Sequence, residues 1–240
     1  MHNRYELKYV IRWPEYRRLL EHIKPLTRLD GYARDGKYRI VSLYYDSHNL
    51  KFYWDKVNGY DNRLKVRVRH YDDRRPMEKV FLEIKEKDTE TILKRRQGMH
   101  IDHAYGLLDR RLTLDDMSKT YGTQSRGIAS EVITLVSLHC ITPKIVVTYN
   151  RHSFVGLYDP RLRITFDTIV RYYDGRSLIQ PFARERYAIH PEFVILEIKV
   201  AETVPAWLID MIGGCELRQQ PVSKYCLAMN RMLGHEEFLP

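Results

Sequence analysis

The sequence predicts an α+β chain, an eight-stranded antiparallel β-barrel with helices packed on the outside. Three observations predict it. Eight segments alternate apolar and polar residues with period two and are rich in β-branched and aromatic residues, as half-buried strands are. Three of them place a Glu and a Lys around one aliphatic residue: Glu6-Leu7-Lys8, Glu83-Ile84-Lys85 and Glu197-Ile198-Lys199. Acid and base then share one face while the aliphatic residue takes the other. Helical patterns are few and fall between the strands. Eight strands suffice to close a barrel, which removes the sheet edges and wraps one face around a lumen.

In chain order, the strands are expected at 3–10, 38–46, 63–71, 79–87, 91–98, 144–151, 161–173 and 193–200. The third carries Leu64-Lys65-Val66-Arg67-Val68-Arg69, three cations on one face. A helix is expected from Trp13 to Leu26, with Tyr16, Leu19, Leu20 and Ile23 at helical spacing and Pro14 suited to its first turn. A second, over 126–139, sets Ile128, Val132, Leu135 and Val136 on one side, with Ser125 as its expected cap. Two more follow at about 204–212 and 222–233, the first ended by Gly213-Gly214. Asp72 to Pro76 reads as a charged turn, Asp109 to Asp116 as a solvated helix or connector, and His100 and His103 as solvated histidines.

All 240 residues are expected to form a single domain, 1–240, since barrels of this length are routinely one unit. The formal charge of +9, from 40 Lys and Arg against 31 Asp and Glu, calls for an anionic partner: nucleic acid, an anionic membrane surface or a phosphorylated small molecule. Cys140, Cys215 and Cys226 are odd in number and widely spaced, which fits neither a disulfide framework nor a zinc site. No secretory signal core and no apolar run near the roughly 20 residues of a membrane span is present, so the expected location is cytoplasmic. Membrane association would be peripheral or through a membrane-protein partner.

By strand parity, Arg4, Glu6 and Lys8 share a face, as do Lys65, Arg67 and Arg69. Further sets are Glu83 with Lys85 and Lys87, Lys94 with Arg96, Tyr149 with Arg151, Arg161 with Arg163, Thr165 and Asp167, and Glu197 with Lys199. A half-exposed sheet alternates in this way too, with surface ion pairs contributing about 0–1 kcal/mol each. Solvated strands, however, mix in Thr, Ser, Gln and Asn, whereas these faces are dominated by Arg, Lys and Glu. Gathered into one lumen, so many cations repel and need an anion. A triphosphate supplies it, gripped by guanidinium forks and lysine point charges. Mg²⁺ or Mn²⁺ takes one or two carboxylates plus phosphate oxygens, making Glu197, with Glu83 or Glu6 nearby, the candidate metal seat. At Glu197 the metal role outweighs an ion pair with neighbouring lysines; at Glu6 and Glu83 the ion pair outweighs the metal role.

These residues, in this order, resemble the VTC domain, the polyphosphate-polymerising branch of the triphosphate tunnel family that also includes the CYTH enzymes. The resemblance rests on Arg4-Tyr5-Glu6-Leu7-Lys8-Tyr9, Ser42-Leu43-Tyr44-Tyr45-Asp46, Arg63 to Tyr71, Phe81-Leu82-Glu83-Ile84-Lys85 and Lys94-Arg95-Arg96. It continues through Pro143 to Phe154, Leu162 to Asp167, Val194 to Lys199 and Ser223-Lys224-Tyr225, nearly the whole chain. It implies a tunnel that binds ATP with a divalent metal and transfers the γ-phosphoryl group to a growing inorganic polyphosphate. It also implies phosphate-gripping roles for Lys8, Arg67, Arg69, Lys85, Lys94, Arg151, Arg163, Lys199 and Lys224, with Tyr149 and Ser223 lining the site and Glu197 holding metal. Lys65 and Arg96 join them by parity.

One departure bears on the reaction. The hydrolytic CYTH enzymes open with Glu-x-Glu-x-Lys, and Arg4 stands at the first Glu. Its absence removes a metal ligand and favours the polymerase over the nearest rival, a tunnel triphosphatase acting on ATP or inorganic triphosphate. The larger eukaryotic members resembled here also carry a phosphate-sensing domain and membrane helices; this sequence shows neither, so translocation across a membrane is not implied by it. A non-catalytic polyphosphate binder is a further alternative. Nucleic-acid binding is disfavoured: the 18 tyrosines are scattered, no recognition motif is present, and Glu on the binding face would repel a phosphodiester backbone. With no Gly-rich phosphate loop and no dinucleotide fingerprint, nucleotide binding must rest on side chains.

Overall fold

A computed structural model describes residues 4–31, 35–71, 78–89, 91–178, 184–201 and 203–235. The expected charged turn from Asp72 to Pro76, and Asn3 at the head of the first expected strand, lie outside them. The elements run β1 (Arg4–Arg12), α1 (Trp13–Ile23), β2 (Thr27–Leu29), β3 (Lys37–Asp46), α2 (Lys51–Val57), β4 (Arg63–Tyr71), β5 (Lys79–Asp88), β6 (Thr91–His100) and α3 (Ile101–Leu108). They continue with α4 (Leu114–Tyr121), α5 (Arg126–His139), β7 (Thr142–Gly156), β8 (Arg163–Asp174), β9 (Arg186–Tyr187), β10 (Phe193–Ala201), α6 (Ala206–Gly214) and α7 (Lys224–Leu233).

Every expected strand is present. They form one antiparallel sheet in the order β1-β10-β8-β7-β3-β4-β5-β6, with the short β2 on β7 and β9 on β8. Strands consecutive along the chain account for β3-β4-β5-β6, with α2 between β3 and β4, and for β7-β8, whereas β1 reaches across the chain to pair Glu6 with Lys199 and Lys8 with Glu197. The sheet curls into a half-barrel. Among the described residues no ladder joins the end strands β1 and β6. Beside β1, Gln219 bridges to Tyr9 and the Gln220 amide donates to the Lys8 carbonyl at 2.8 Å, while a side-chain contact between Lys85 and Glu6 links β5 to β1.

Strand alternation sorts the side chains. On the convex face Val41, Leu43, Val66, Val68, Leu82 and Ile84 pack under α3 and α5. Ile164, Phe166, Leu196 and Ile198 do so under Leu19 and Ile23 of α1 and Leu208 and Met211 of α6. Each buried aliphatic side chain contributes about 1.5–3 kcal/mol, so this outer helical layer anchors the curl. A third cluster belongs to the opposite parity. Ile40, Tyr44, Ile145, Val147, Val170 and Ile195 gather around Tyr225, Ala228 and Met229 of α7 and Tyr53 of α2. Asp46 ties these helices to the sheet. Its buried carboxylate accepts from the Tyr225 hydroxyl at 2.7 Å and from the amides of Ser47, Phe52 and Tyr53.

Three details differ from the sequence reading. The first helix stops at Ile23 and a 3₁₀ turn over Lys24–Leu26 follows, because Pro25 has no N–H to continue the α-helical hydrogen-bond ladder. Ser125 does not cap α5; its hydroxyl donates instead to the Met117 and Gly122 carbonyls, tying down the preceding turn. Strand β8 starts at Arg163, and Arg161 leaves the shared face because its amide and guanidinium both bond Asp159 in the turn. The connector around Asp109–Asp116 holds the start of α4, whose Thr113–Asp116 capping box satisfies its first amides.

Candidate functional site

The concave face collects the candidate site residues named from the sequence, Arg161 excepted. Its cations are organised by carboxylates of the protein's own. The first hub is Glu83, 2 % exposed. Arg67 donates from Nε to Glu83 Oε2 at 2.7 Å, Lys94 Nζ and Arg96 Nε lie 3.0 and 3.4 Å from Oε1, and Arg69 lies 3.8 Å from Oε2. Burial pushes the Glu83 carboxyl up, but Arg67, Arg69 and Lys94 outweigh it and hold the group far below the usual carboxylate range. Hydroxyls complete the hub. Arg67 donates to Tyr44 at 3.1 Å, and Arg69 donates to Ser42, Tyr71 and Tyr149 at 3.0–3.2 Å.

Asp167 is the second hub, fully buried. Arg151 grips it with two 2.7 Å bonds and Lys224 Nζ sits 2.6 Å away. Burial opposes ionisation, yet Arg151 and Lys224 lower the Asp167 pKa, and Asp167 in turn raises that of Lys224 against its burial. Tyr149 lies beneath both cations, 5.5 Å from Arg151 and 4.9 Å from Lys224. Because Arg69 also bonds its hydroxyl, Tyr149 joins the two hubs.

The third group straddles β1, β10 and β5. Lys199 Nζ lies 2.6 Å from Glu197 Oε1 and 3.7 Å from Glu6 Oε1, Lys8 lies 3.5 Å from Glu6, and Lys85 lies 3.0 Å from its other oxygen. Glu197 is depressed well below its ordinary range: burial raises it, and Lys199, Lys8, the Glu6 side chain and Arg151 overcome that. Lys65 stands apart, with no carboxylate partner among the described residues; its Nζ donates to Ser223 Oγ at 3.0 Å. Burial brings its pKa down to about 8. Arg163 pairs with Asp30, which also accepts from Ser153 at 3.2 Å.

Depth divides the set. Arg69, Arg151 and Lys224 form the floor, whereas Lys94 at 45 %, Arg163 at 40 % and Arg96 at 37 % side-chain exposure line the rim. An extended polyanion lying from rim to floor would meet permanent guanidinium charges throughout.

The donor set can be tested for a divalent cation. Among the described residues no group of three or more His, Cys, Asp or Glu is arranged around one metal position. Glu197 and Glu6 nevertheless stand together, and Thr165, paired in register with Glu197, has a buried hydroxyl without a hydrogen-bond partner. All are hard oxygen donors, as Mg²⁺ or Mn²⁺ requires, and phosphate oxygens or water would supply the remainder. Glu83 fits poorly, since four cations already crowd it.

Several site residues escaped the sequence reading. Asp167 was visible as sharing a face with Arg163 but not as the anchor of Arg151. Ser42, Tyr44 and Tyr71 share the parity of the lumen cations, a usable signal. Asp30 follows a three-residue strand and offered none.

A family model, described as the VTC domain, matches residues 3–233. No curated protein matches the chain by sequence. Among solved structures, a proposed adenylate cyclase from Bacillus halodurans superposes with a TM-score of 0.49 at 9 % identity, covering 92 % of this chain and 95 % of that one. A proposed adenylyl cyclase from Hippeastrum, described as having a dominant triphosphatase activity, gives 0.48 at 11 % identity over 99 % and 98 %. A protein from Pyrococcus horikoshii OT3 gives 0.47 at 14 % identity over 95 % and 99 %.

Proposed function

The chain belongs to the VTC-domain family, and from that premise we propose that it is a polyphosphate polymerase, which transfers the γ-phosphoryl group of ATP to inorganic polyphosphate inside its cationic half-barrel. The observation that carries the reading is the convergence of Arg67, Arg69, Lys94, Arg151, Lys199 and Lys224 on one concave face, where protein carboxylates leave a surplus of positive charge.

In this reading the terminal oxygen of the polyphosphate attacks the γ-phosphorus as the bond to the β–γ bridging oxygen breaks, and ADP departs with that electron pair. The attacking phosphate oxygen is already ionised near neutral pH, so no general base is needed. That suits a lumen dominated by Arg, Lys, Tyr, small hydroxyls and carboxylates. Catalysis then rests on alignment and on neutralising the equatorial oxygens. Arg67 and Arg69, fixed by Glu83, Ser42 and three tyrosines, are pre-set for the second task. Arg151 and Lys224 hold the neighbouring phosphates, with Lys8, Lys65, Lys85 and Lys199 extending the path. Glu197, with Glu6, would hold Mg²⁺ or Mn²⁺, which supplies charge neutralisation on phosphate oxygens.

A second reading is a tunnel triphosphatase, in which water replaces the phosphate nucleophile. The adjacency of Glu6 and Glu197 favours it, because two carboxylates can seat a metal beside a water even with Arg4 upstream. Incubation of the pure chain with ATP and Mn²⁺ separates the two. Long polyphosphate on a gel, matched by ADP, supports the polymerase; orthophosphate and ADP without chains assign the triphosphatase.

A further inference from the structure

The rim of the lumen holds one feature beyond its positive charge. Arg96 lies over Phe81, with Cζ 3.5 Å from the ring centroid, and 5.1 Å from the ring of Tyr71. Tyr71 meets Phe81 edge-on, centroids 5.6 Å apart at 83°. Both rings are only partly buried, although they share the parity of the lumen cations. Gly98, the register partner of Phe81, makes the arrangement fit: a Cβ there would come 3.2 Å from the ring. Arg96 is also held by Glu83, with Nε 3.4 Å from the carboxylate that anchors Arg67.

We propose that the Arg96–Phe81–Tyr71 stack is a platform for the base of the nucleoside triphosphate donor, one that accepts any base. A guanidinium backed by an aromatic ring presents a flat, weakly hydrated cation on which a base stacks. Stacking of this kind is base-tolerant, because every base has a π-face. The placement suits the length of the ligand. Phe81 lies two residues from Glu83, and Tyr71 two from Arg69, which is ~7 Å along each strand. A base on the rim therefore leaves its triphosphate pointing at Arg67, Arg69 and Lys94. The inference rests on the reading that the lumen takes a nucleoside triphosphate.

Calorimetric titration of the full chain with the β,γ-imido analogues of ATP, GTP, CTP and UTP, and with inorganic triphosphate, tests it. Purine nucleotides should bind more tightly than pyrimidine nucleotides, and both more tightly than inorganic triphosphate. Phe81→Leu should weaken the nucleotides by roughly 10-fold and leave inorganic triphosphate unchanged, which also certifies the fold of the variant. Arg96→Leu should lower the ratio of nucleotide to triphosphate affinity further. Equal affinities in the unaltered protein, or equal losses for nucleotide and inorganic triphosphate in both variants, would overturn the platform while leaving the phosphate site standing. Failure of the unaltered protein to bind any of these ligands would sink the functional reading with it.

Discussion

Lys65 and Ser223 meet across the lumen: the lysine ammonium donates to the serine hydroxyl at 3.0 Å, and the same hydroxyl accepts from the Cys226 amide as the cap of α7. A half-buried cation without a carboxylate partner among the described residues is thus wired to the start of the helix that carries Lys224.

Ser223→Ala should therefore do two things. Loss of the cap costs about 1 kcal/mol of stability, read as a lower denaturant midpoint at unchanged m-value. Release of Lys65 should also weaken inorganic triphosphate binding, which Ser223→Thr should restore. Full affinity in the alanine variant would show the contact to be incidental.

Binding should also fall as pH rises through about 8. Burial pulls Lys65 down to about 8. Burial pushes the Tyr44 phenol up, but Arg67, Arg69 and Lys65 outweigh it and bring it to about 8. Above that pH the first group loses a positive charge and the second gains a negative one, so both changes disfavour a polyanion. Linkage limits the effect to about tenfold per pH unit for each coupled proton. Lys65→Arg and Tyr44→Phe should each flatten the titration partly, and the double variant further. A profile that none of them alters would dismiss these two groups as its source.

Glu83→Gln removes the hub of four cations. Breaking a buried ion pair at one partner costs about 3–5 kcal/mol, so a large drop in unfolding free energy is expected. Inorganic triphosphate should stabilise this variant more than the parent, since it replaces the missing charge. Acid behaviour follows the same logic. The folded-state pKa of Glu83 is depressed, so its contribution is complete above the unfolded carboxyl value of about 4.3 and is lost as pH falls toward the folded one. Chemical denaturation below pH 4 should show the parent losing stability more steeply than Glu83→Gln.

Glu197→Gln should separate binding from turnover. Affinity for polyphosphate should hold or rise, because a negative charge leaves the lumen, whereas metal-dependent turnover should fall by about 100-fold or more, given the several kcal/mol a divalent cation supplies. Glu6→Gln should have a smaller effect of the same kind. Unchanged metal dependence in both variants would remove the metal seat from β1 and β10.

Much of this arrangement was legible because strand parity is a local rule. Lys65, Arg67 and Arg69 had to share a face once 63–71 was a strand, and the structure puts them on the concave one. The partners were not legible. That Glu83 gathers four cations, or that Asp167 anchors Lys224 from a helix 57 positions later in the numbering, depends on the sheet's curl and on register. The helices were read where apolar spacing was strong, as in α5. The missed ones are short: α2 has 7 residues, and α3 and α4 have 8 each, too few for a period to emerge. The packing of α7 beside the lumen was equally hidden, since its apolar stripe looks the same whichever face of the sheet it meets.

The path of β1 carries a consequence for how the molecule comes together. One edge of that strand is covered by residues 193–201 and part of the other by Gln219 and Gln220. During synthesis residues 4–12 must wait, with both edges bare, for nearly two hundred later residues to emerge. Distant pairing of this sort slows assembly and leaves a partly made chain open to stray strand addition. Of the strands described, the one made first is paired only once β10 has emerged, and the cationic cavity it borders is assembled only then.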